Sequence, residues 1–368
     1  MANIIQFGTG RFLRGFFAPL IQQEKSITVV QSRQKSEGAR LINQYAAQGY
    51  HVWVRGKQDG QIVDQTQTVD SLQRALVANT DWQSLQELAA SPDVTLIVSN
   101  TTEAGLMLQT EDQTQFDFRD ECPKSFPARL TALLFARFES GNPGLSILPM
   151  ELVDNNADCL KRLVLQQAKM WQPTAQSDFL DWLQQEMRWL NNLVDRIVVS
   201  VTDDPPWAEH DPLAVTTEPY RLLAIQDDQR DRSVLPDHPS IQWVSDLQPV
   251  YRRKVRILNG LHTAMVAHCL PSGFETVLDA VSDPQERKWL ESLLNDEILK
   301  VLQNQGQDES QYAQQVFERF ENPFFKHRLT DIANGHEKKL QTRLKPTFDD
   351  YVTAFADEPT KLKSLLKL

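Results

Sequence analysis

The sequence predicts an α/β protein, with an N-terminal Rossmann-type doubly wound sheet over residues 1–200 and a mostly α-helical substrate and catalytic domain over 201–368. Three observations carry that prediction. Short apolar runs at residues 3–7, 27–30, 94–98 and 144–148 alternate with helical stretches, as the strands of a buried parallel sheet do. The first run passes at once into a glycine turn and a helical stretch, the order of elements in a dinucleotide site. From residue 252 onward the pattern is helical alone, with segments near 283–304, 309–320, 323–334 and 347–355, after a proline-rich stretch that opens at Thr202.

The totals bound the function. A chain of 368 residues has room for about two domains, each with its own core. Lys and Arg number 38 against 49 Asp and Glu, and the resulting net charge of −11 disfavours nucleic acid or an anionic membrane as a partner. The N-terminus enters a strand without a basic and apolar leader, and no run approaches a membrane span, so a cytoplasmic protein is expected. Cys122, Cys159 and Cys269 lie far apart and read as reduced thiols. The seven histidines show no metal-ligand spacing, so the expected chemistry uses no metal. The expected assembly is a monomer or a small homo-oligomer.

In chain order, Gly8-Thr9-Gly10-Arg11-Phe12 is the first candidate site. Backbone N–H groups of the turn, and of a helix running to about residue 23, would face a dinucleotide pyrophosphate. Leu13 stands where the GxGxxG pattern asks for its third glycine. After the second strand, where an acidic residue would bind the adenosine ribose of NAD, the chain offers Gln31-Ser32-Arg33. Arg33 reads either as a partner for the 2′-phosphate of NADP or as a solvated loop residue. Residues 50–54 and 61–63 flank an Asp- and Gly-containing turn and predict a hairpin. The strand 94–98 runs into Ser99-Asn100-Thr101-Thr102-Glu103-Ala104-Gly105 at the carboxyl edge of the sheet. Asn100 and Thr101 there can contact nicotinamide and ribose, or Thr101 or Thr102 can cap a helix with Glu103 in its first turn. A helix at 127–139, a strand at 144–148 and a helical region over 158–193 follow. Asp195-Arg196 then reads as a local ion pair or as a substrate-facing carboxylate held by its neighbour.

The stretch from Tyr251 to His268 predicts a helix of about four turns. At roughly 100° per residue, Lys254 at 0°, His262 near 80° and Asn259 near 140° share one half of that helix. The three suit proton transfer at an alcohol oxygen: a lysine as acid/base, an amide donating to the oxyanion and an imidazole orienting a hydroxyl. The bland alternative is a solvated lysine, a lining amide and a core histidine. Gly260, mid-helix at a cost of about 1 kcal/mol relative to alanine, implies close approach by a ligand or another backbone. Basic residues cluster late, at Lys326-His327-Arg328, Lys338-Lys339 and Arg343. They are solvated helix faces or, in part, ligands for a substrate carboxylate or phosphate.

The string KVRILNGLHT, carrying Lys254-x4-Asn259-x2-His262, resembles the signature of the polyol-specific long-chain dehydrogenases, the mannitol dehydrogenase family. FGTGRFLRG (7–15), SNTTEAG (99–105), LVDRI (193–197), EPY (218–220) and RFENP (319–323) recur in the family's order and span almost the whole chain. Within the family, SNTTEAGL, SFPARLTALLFARF (125–138) and PMELVDNNAD (149–158) are most similar to the branch that interconverts keto-uronates and aldonates. The resemblance implies metal-free hydride transfer with NAD, NADP not being excluded, and a small sugar-acid or polyol substrate. It implies Lys254 as general acid/base, Asn259 polarising the carbonyl and His262 holding a neighbouring hydroxyl. It further implies Asp195 at the substrate and Asn156 as a second oxyanion donor. A carboxylate on that substrate would be held by Lys326, His327, Lys339 or Arg343. Two departures stand out, the first bearing on the substrate and the second on a glutamate-based proton relay. Met150-Glu151-Leu152 stands where mannitol 2-dehydrogenases carry an asparagine, and Tyr251 stands where they carry a glutamate. Another polyol, mannitol, fructuronate or a sugar phosphate remains an alternative substrate, and a non-catalytic NAD-binding sensor an alternative of another class.

Overall fold

The computed structural model describes residues 3–21, 25–33, 37–101, 105–113, 119–171, 176–202, 205 and 207–368. Two compact units divide the chain. The first holds Met1–Trp53, Thr66–Thr217 and Arg221–Ser245; the second holds Val54–Gln65, Glu218–Tyr220 and Asp246–Leu368. The division therefore falls at 245 rather than near residue 200. Residues beyond 200 still supply strands to the first unit, which a proline-rich reading of that stretch conceals.

The first unit is built on a six-stranded sheet of order β5-β2-β1-β6-β7-β8, with every neighbouring pair parallel. Its strands are β1 Asn3–Phe7, β2 Ser26–Gln31, β5 Leu72–Val77, β6 Val94–Ser99, β7 Ser146–Pro149 and β8 Arg188–Trp189. The hairpin β3 Tyr50–Gln58 and β4 Gln61–Val69 is inserted between β2 and β5. Its turn uses Asp59 and Gly60, both at positive φ, as a two-residue hairpin turn requires. The strand order reverses between β1 and β6, which puts the switch point beside Phe7 and Ser99 in their paired register. Ile4, Ile5, Phe7, Val29, Val30, Leu96, Ile97 and Val98 are buried, as parallel strands covered on both faces must be.

Helices α1 Arg11–Gly15, α2 Gly38–Tyr45, α3 Trp82–Ala90, α4 Phe126–Glu139, α5 Asn156–Trp171 and α6 Gln176–Gln185 complete the first layer set. Ser125 caps α4 with Pro127 in its first turn. The buried Arg137 donates to the carbonyls of Ala89 and Ser91 at the end of α3, satisfying acceptors a helix terminus leaves open. Phe7, Leu85, Ile97, Leu130, Leu134, Leu160 and Phe179 belong to the core so formed. Two expected helices are shorter than the sequence suggests. The first ends at Gly15, and a 3-10 turn follows at Ala18–Leu20 where Pro19 enters. The region 158–193 is helical only to Gln185, after which β8 and β9 Asn192–Asp195 take over. The remaining strands, β10 Val198–Val199, β11 Val215–Thr217, β12 Leu222–Gln226 and β13 Ile241–Val244, join a four-stranded sheet β10-β11-β3-β4 and a three-stranded sheet β13-β12-β9.

The second unit is helical. Its first helix runs from α7 Gln248–Arg253 through a π segment, Lys254–Asn259, into α8 Gly260–His268. The helices α9 Val277–Ser282, α10 Pro284–Ser292, α11 Lys300–Asn304, α12 Ser310–Phe320, α13 Leu329–Ile332, α14 His336–Lys339, α15 Lys345–Phe355 and α16 Thr360–Leu366 surround it. Two further π segments, Leu293–Leu299 and Leu340–Leu344, interrupt these helices. Ile257, Leu261, Ala264, Met265, Leu290, Val316 and Leu344 are among the residues of its own hydrophobic core.

Candidate functional site

The first constellation lies at the carboxyl ends of β1, β2, β6 and β7. Gly8 has φ +125°, and a Cβ there would stand 3.1 Å from the Asn100 carbonyl oxygen. Only glycine suits that position, for the fold's own reasons. Gly10 differs: its φ of −67° suits any residue, and a Cβ would meet nothing within 4 Å among the described residues. It is the N-cap of α1, so the space beside it is open for a ligand to approach backbone N–H groups. Leu13, at the expected third glycine, is buried. The close approach falls instead to Gly15, whose Cβ would come within 2.6 Å of Val198 Cγ1 and 2.8 Å of Thr217 Cγ2. The carbonyl of Thr9 accepts from Arg14 Nη1, and the Thr9 side chain fills the space beside Gly38. Arg11 Nη1 donates to Ser200 Oγ at 2.8 Å, and Phe12 stacks on Phe16.

Beyond β2 the two candidates separate. Gln31 is buried, its Nε2 donating to the Arg33 carbonyl at 2.7 Å and its Oε1 accepting from Ala39 N at 2.8 Å. It braces the loop into α2, so its amide is engaged within the protein. Arg33 is exposed. Between them Ser32 Oγ is buried and has no hydrogen-bond partner among the described residues. An orphaned hydroxyl at this strand end fits the ribose of an adenosine half.

Past the switch point, Asn100 N donates to the Phe7 carbonyl at 3.0 Å and its Nδ2 to the Met150 carbonyl at 2.7 Å. Thr101 gives both its N–H, at 2.7 Å, and its hydroxyl, at 2.9 Å, to Glu151 Oε1. Ser99 Oγ reaches Glu151 Oε2 at 3.0 Å. The helix-cap expectation involving Thr102 and Glu103 lies outside the described residues. Asn156 is buried, and its Nδ2 serves the carbonyls of Pro149, Glu151 and Asn192. Its Oδ1 accepts from Ala157 N and Asn192 N. That network makes Asn156 a bracket between β7, α5 and β9 and leaves its amide no hydrogen for an oxyanion. Asp195 is buried on β9, paired in register with Leu222. Its neighbour Arg196 donates Nη1 to the Gly15 carbonyl at 2.6 Å, tying that strand end to α1.

The second constellation is wholly within the helical unit. A π segment is defined by i→i+5 hydrogen bonds. Over Lys254–Asn259 each turn therefore takes more residues than in a regular helix, so the five-residue offset overshoots one turn by less than roughly 140° and Asn259 lies nearer the Lys254 side. The regular helix resumes at Gly260, so His262, three residues on, continues the same row. Lys254 and Asn259 are half-buried and His262 is buried. Gly260 makes only ordinary approaches: a Cβ would stand 3.5 Å from Leu344 Cδ2 and 3.9 Å from the Arg343 carbonyl oxygen. The backbone near it is that of the Leu340–Leu344 π segment.

His262 packs on Phe320 at 4.7 Å and on His327 at 4.8 Å between ring centroids. Burial first, then the charges of His327, Arg319, Arg343 and Lys339, hold it well below the ordinary histidine range. It is a neutral imidazole whose Nε2 has no hydrogen-bond partner among the described residues. An unpartnered buried nitrogen is costly, and this one is able to take a hydroxyl partner. Arg319 is held by a bidentate pair to Glu218, both bonds at 2.8 Å, over the ring of Tyr220. Arg343 Nη1 lies 3.4 Å from Thr263 Oγ1, and that hydroxyl donates to the Asn259 carbonyl at 2.8 Å. Lys339 donates to the Ile332 carbonyl at 2.7 Å, and burial, then Arg343, lowers its pKa. Three of the four late basic candidates, His327, Lys339 and Arg343, thus share the electrostatic surroundings of His262. Lys326 is exposed and is not among them. Arg319 and Glu151 escaped the sequence reading; the visible signals were an arginine inside the RFENP string and a glutamate in the apolar run 148–153.

Known proteins match along the whole chain. Residues 2–236 match the model of the mannitol dehydrogenase Rossmann domain and 246–362 that of the mannitol dehydrogenase C-terminal domain. An altronate oxidoreductase of Halalkalibacterium halodurans is 38% identical over 98% of this chain and 73% of its own length. One from Bacillus subtilis is 36% identical over 98% and 77%. Among solved structures, a Pseudomonas fluorescens mannitol 2-dehydrogenase in a ternary complex with NAD and D-mannitol superposes with a TM-score of 0.75 at 19% identity, covering 99% of this chain and 77% of that one. A substrate-free D-sorbitol dehydrogenase gives 0.79 at 19% identity, covering 99% and 80%.

Proposed function

Since the chain belongs to the mannitol dehydrogenase family, we propose that it is an NAD-dependent reductase of a keto-uronate, of the tagaturonate–altronate type, working without a metal ion. An oxidoreductase acting on CH–OH groups is the coarser statement, and it rests on the family alone. The observation that carries the finer one is the row Lys254, Asn259 and His262, whose imidazole lies in the field of the cations Arg343 and Lys339 as well as of the Glu218-paired Arg319. A neutral ketose gives no reason for that concentration of positive charge, whereas a sugar acid does.

The first unit fits a dinucleotide at three places. They are the open space beside Gly10, the orphaned Ser32 hydroxyl and the tethered turn Ser99–Thr101. A nicotinamide dinucleotide supplies the hydride in the reducing direction and accepts it in the other. As the new C–H bond forms, the carbonyl π electrons move to oxygen, and in this reading Lys254 Nζ delivers the proton to it. Asn259 Nδ2 donates to the same oxygen and stabilises its growing charge. His262, uncharged, meets an adjacent hydroxyl through Nε2 and fixes the sugar's orientation. Arg343 holds the carboxylate, assisted by Lys339. NAD is favoured over NADP by the solved family member crystallised with NAD, with Arg33 the residue through which NADP would be accepted.

A screen of NADH oxidation over tagaturonate, fructuronate, fructose, sorbose and ketose phosphates tests the assignment, repeated with NADPH. Highest kcat/KM is expected for a keto-uronate with NADH. Equal turnover of uncharged ketoses would instead support a polyol dehydrogenase. Turnover of none, with NADH still bound, would support a sensor.

A further inference from the structure

Glu151 is a buried carboxyl group with no role in the chemistry just described, yet three of the bonds that shape the carboxyl edge of the sheet converge on it. It is 2% exposed and stands two residues beyond the end of β7. Its Oε1 accepts the Thr101 N–H and hydroxyl, and its Oε2 accepts the Ser99 hydroxyl. Every one of these partners can donate, and the backbone N–H can do nothing else. The set suits an ionised carboxylate; a protonated acid would need an acceptor for its own hydrogen. None of its bonding partners among the described residues is a cation, so no ion pair with them cancels the negative charge.

The position of that charge follows from the sheet. In a doubly wound sheet the pyrophosphate lies over the turn after the first strand, here Gly8–Gly10, and the adenosine ribose beyond β2. The other half of the dinucleotide therefore extends across the ends of β6 and β7. Those ends are stitched together from both sides: Asn100 bonds Met150, and Glu151 bonds Ser99 and Thr101. The Asn100 carbonyl in turn abuts Gly8.

We propose that Glu151 is a positioning residue for the nicotinamide half of the cofactor, and that its buried charge makes the protein bind the oxidised, cationic nicotinamide more tightly than the reduced, neutral one. The proposal rests on the nicotinamide-cofactor reading above. Burial raises the pKa of Glu151, and the Thr101 and Ser99 bonds oppose that rise; it is the donor geometry around both oxygens that favours the ionised form. A unit charge within about 10 Å, at an effective dielectric near 20, is worth on the order of a tenfold preference.

Glu151→Gln separates charge from shape. The amide oxygen can still accept both Thr101 hydrogens, and its NH2 can donate to Ser99 Oγ, whose lone pairs are available. Dissociation constants of oxidised and reduced NAD would be measured by calorimetry on the full chain, with melting temperature as a control. The expected result is that Glu151→Gln weakens oxidised NAD about tenfold and leaves NADH within about twofold of wild type. Glu151→Leu, which removes the charge and demands no hydrogen bonds, should shift the ratio in the same direction and serves if the amide variant does not fold. Glu151→Asp should keep the wild-type ratio. Equal weakening of both forms would make Glu151 a structural brace only and overturn the proposal, as would an unchanged ratio. Failure of the wild type to bind either form would overturn the cofactor reading itself and this inference with it.

Discussion

The two glycines of the first turn should fail in opposite ways when a side chain is added. At Gly8 the φ of +125° is a conformation L residues rarely adopt, and a Cβ would press on the Asn100 carbonyl at 3.1 Å. Strain of that kind costs about 1–3 kcal/mol, and displacing Asn100 disturbs its own bonds to Phe7 and Met150. For a unit of this size about 1 kcal/mol corresponds to 2–4 °C, so Gly8→Ala should lower the melting temperature by roughly 2–12 °C. At Gly10 the φ of −67° is ordinary and the space is open among the described residues. Gly10→Ala should be neutral or stabilising by about 0.4–1 kcal/mol, through the unfolded chain. Gly10→Val keeps the fold but fills the approach to the backbone, so NADH binding should fall below detection. Thermal melts and NADH calorimetry on the three variants decide the matter. Native NADH affinity in a folded Gly10→Val protein would refute the pyrophosphate placement. An unshifted melting temperature in Gly8→Ala would refute the strain argument.

Arg343→Gln removes a charge-assisted pair worth about 1.5–3 kcal/mol, so KM for a keto-uronate should rise roughly 10- to 150-fold while an uncharged ketose is unaffected. Equal effects on both would assign Arg343 to a solvated face. His262, held well below its unfolded pKa of about 6.5, binds fewer protons in the native state than in the unfolded one. Its contribution is complete above that unfolded pKa and is lost as pH falls below it; His262→Gln should therefore flatten the acid side of the stability profile measured in urea. Gly260→Ala should be tolerated and stabilise by about 0.5–1 kcal/mol, because its Cβ would sit at ordinary contact with Leu344. A loss of stability there would mean that the π segment needs glycine at its exit.

The parallel sheet was readable because Ile4, Ile5, Val29, Val30, Ile97 and Val98 are buried on both faces and leave unbroken apolar runs. The row of Lys254, Asn259 and His262 was readable as residue types, but its geometry was not. Residues 254–259 carry no propensity that separates a π turn from an α turn, and in the folded core they meet the sequence-distant Leu340–Leu344 and Leu293–Leu299 segments. β8 and β9 were hidden because Met187, Leu190 and Val194 continue a helical spacing, and only pairing with β7 and β12 turns them into strands. Gln31 was expected to face a ligand from its position, and Asn156 from the family resemblance. Their hydrogen bonds to Arg33, Ala39, Pro149 and Asn192 are long-range or loop-specific, and no local pattern announces them.

The assignment of the proton to Lys254 is tested most directly by Lys254→Ala in single-turnover reduction of a keto-uronate. General acid catalysis by a side chain is worth about 10²–10⁴-fold, so kcat should fall by that much. NADH affinity should stay near wild type, and added primary amines should restore part of the rate. Near-native kcat in Lys254→Ala, together with its collapse in His262→Ala, would contradict the account and move the proton to the imidazole.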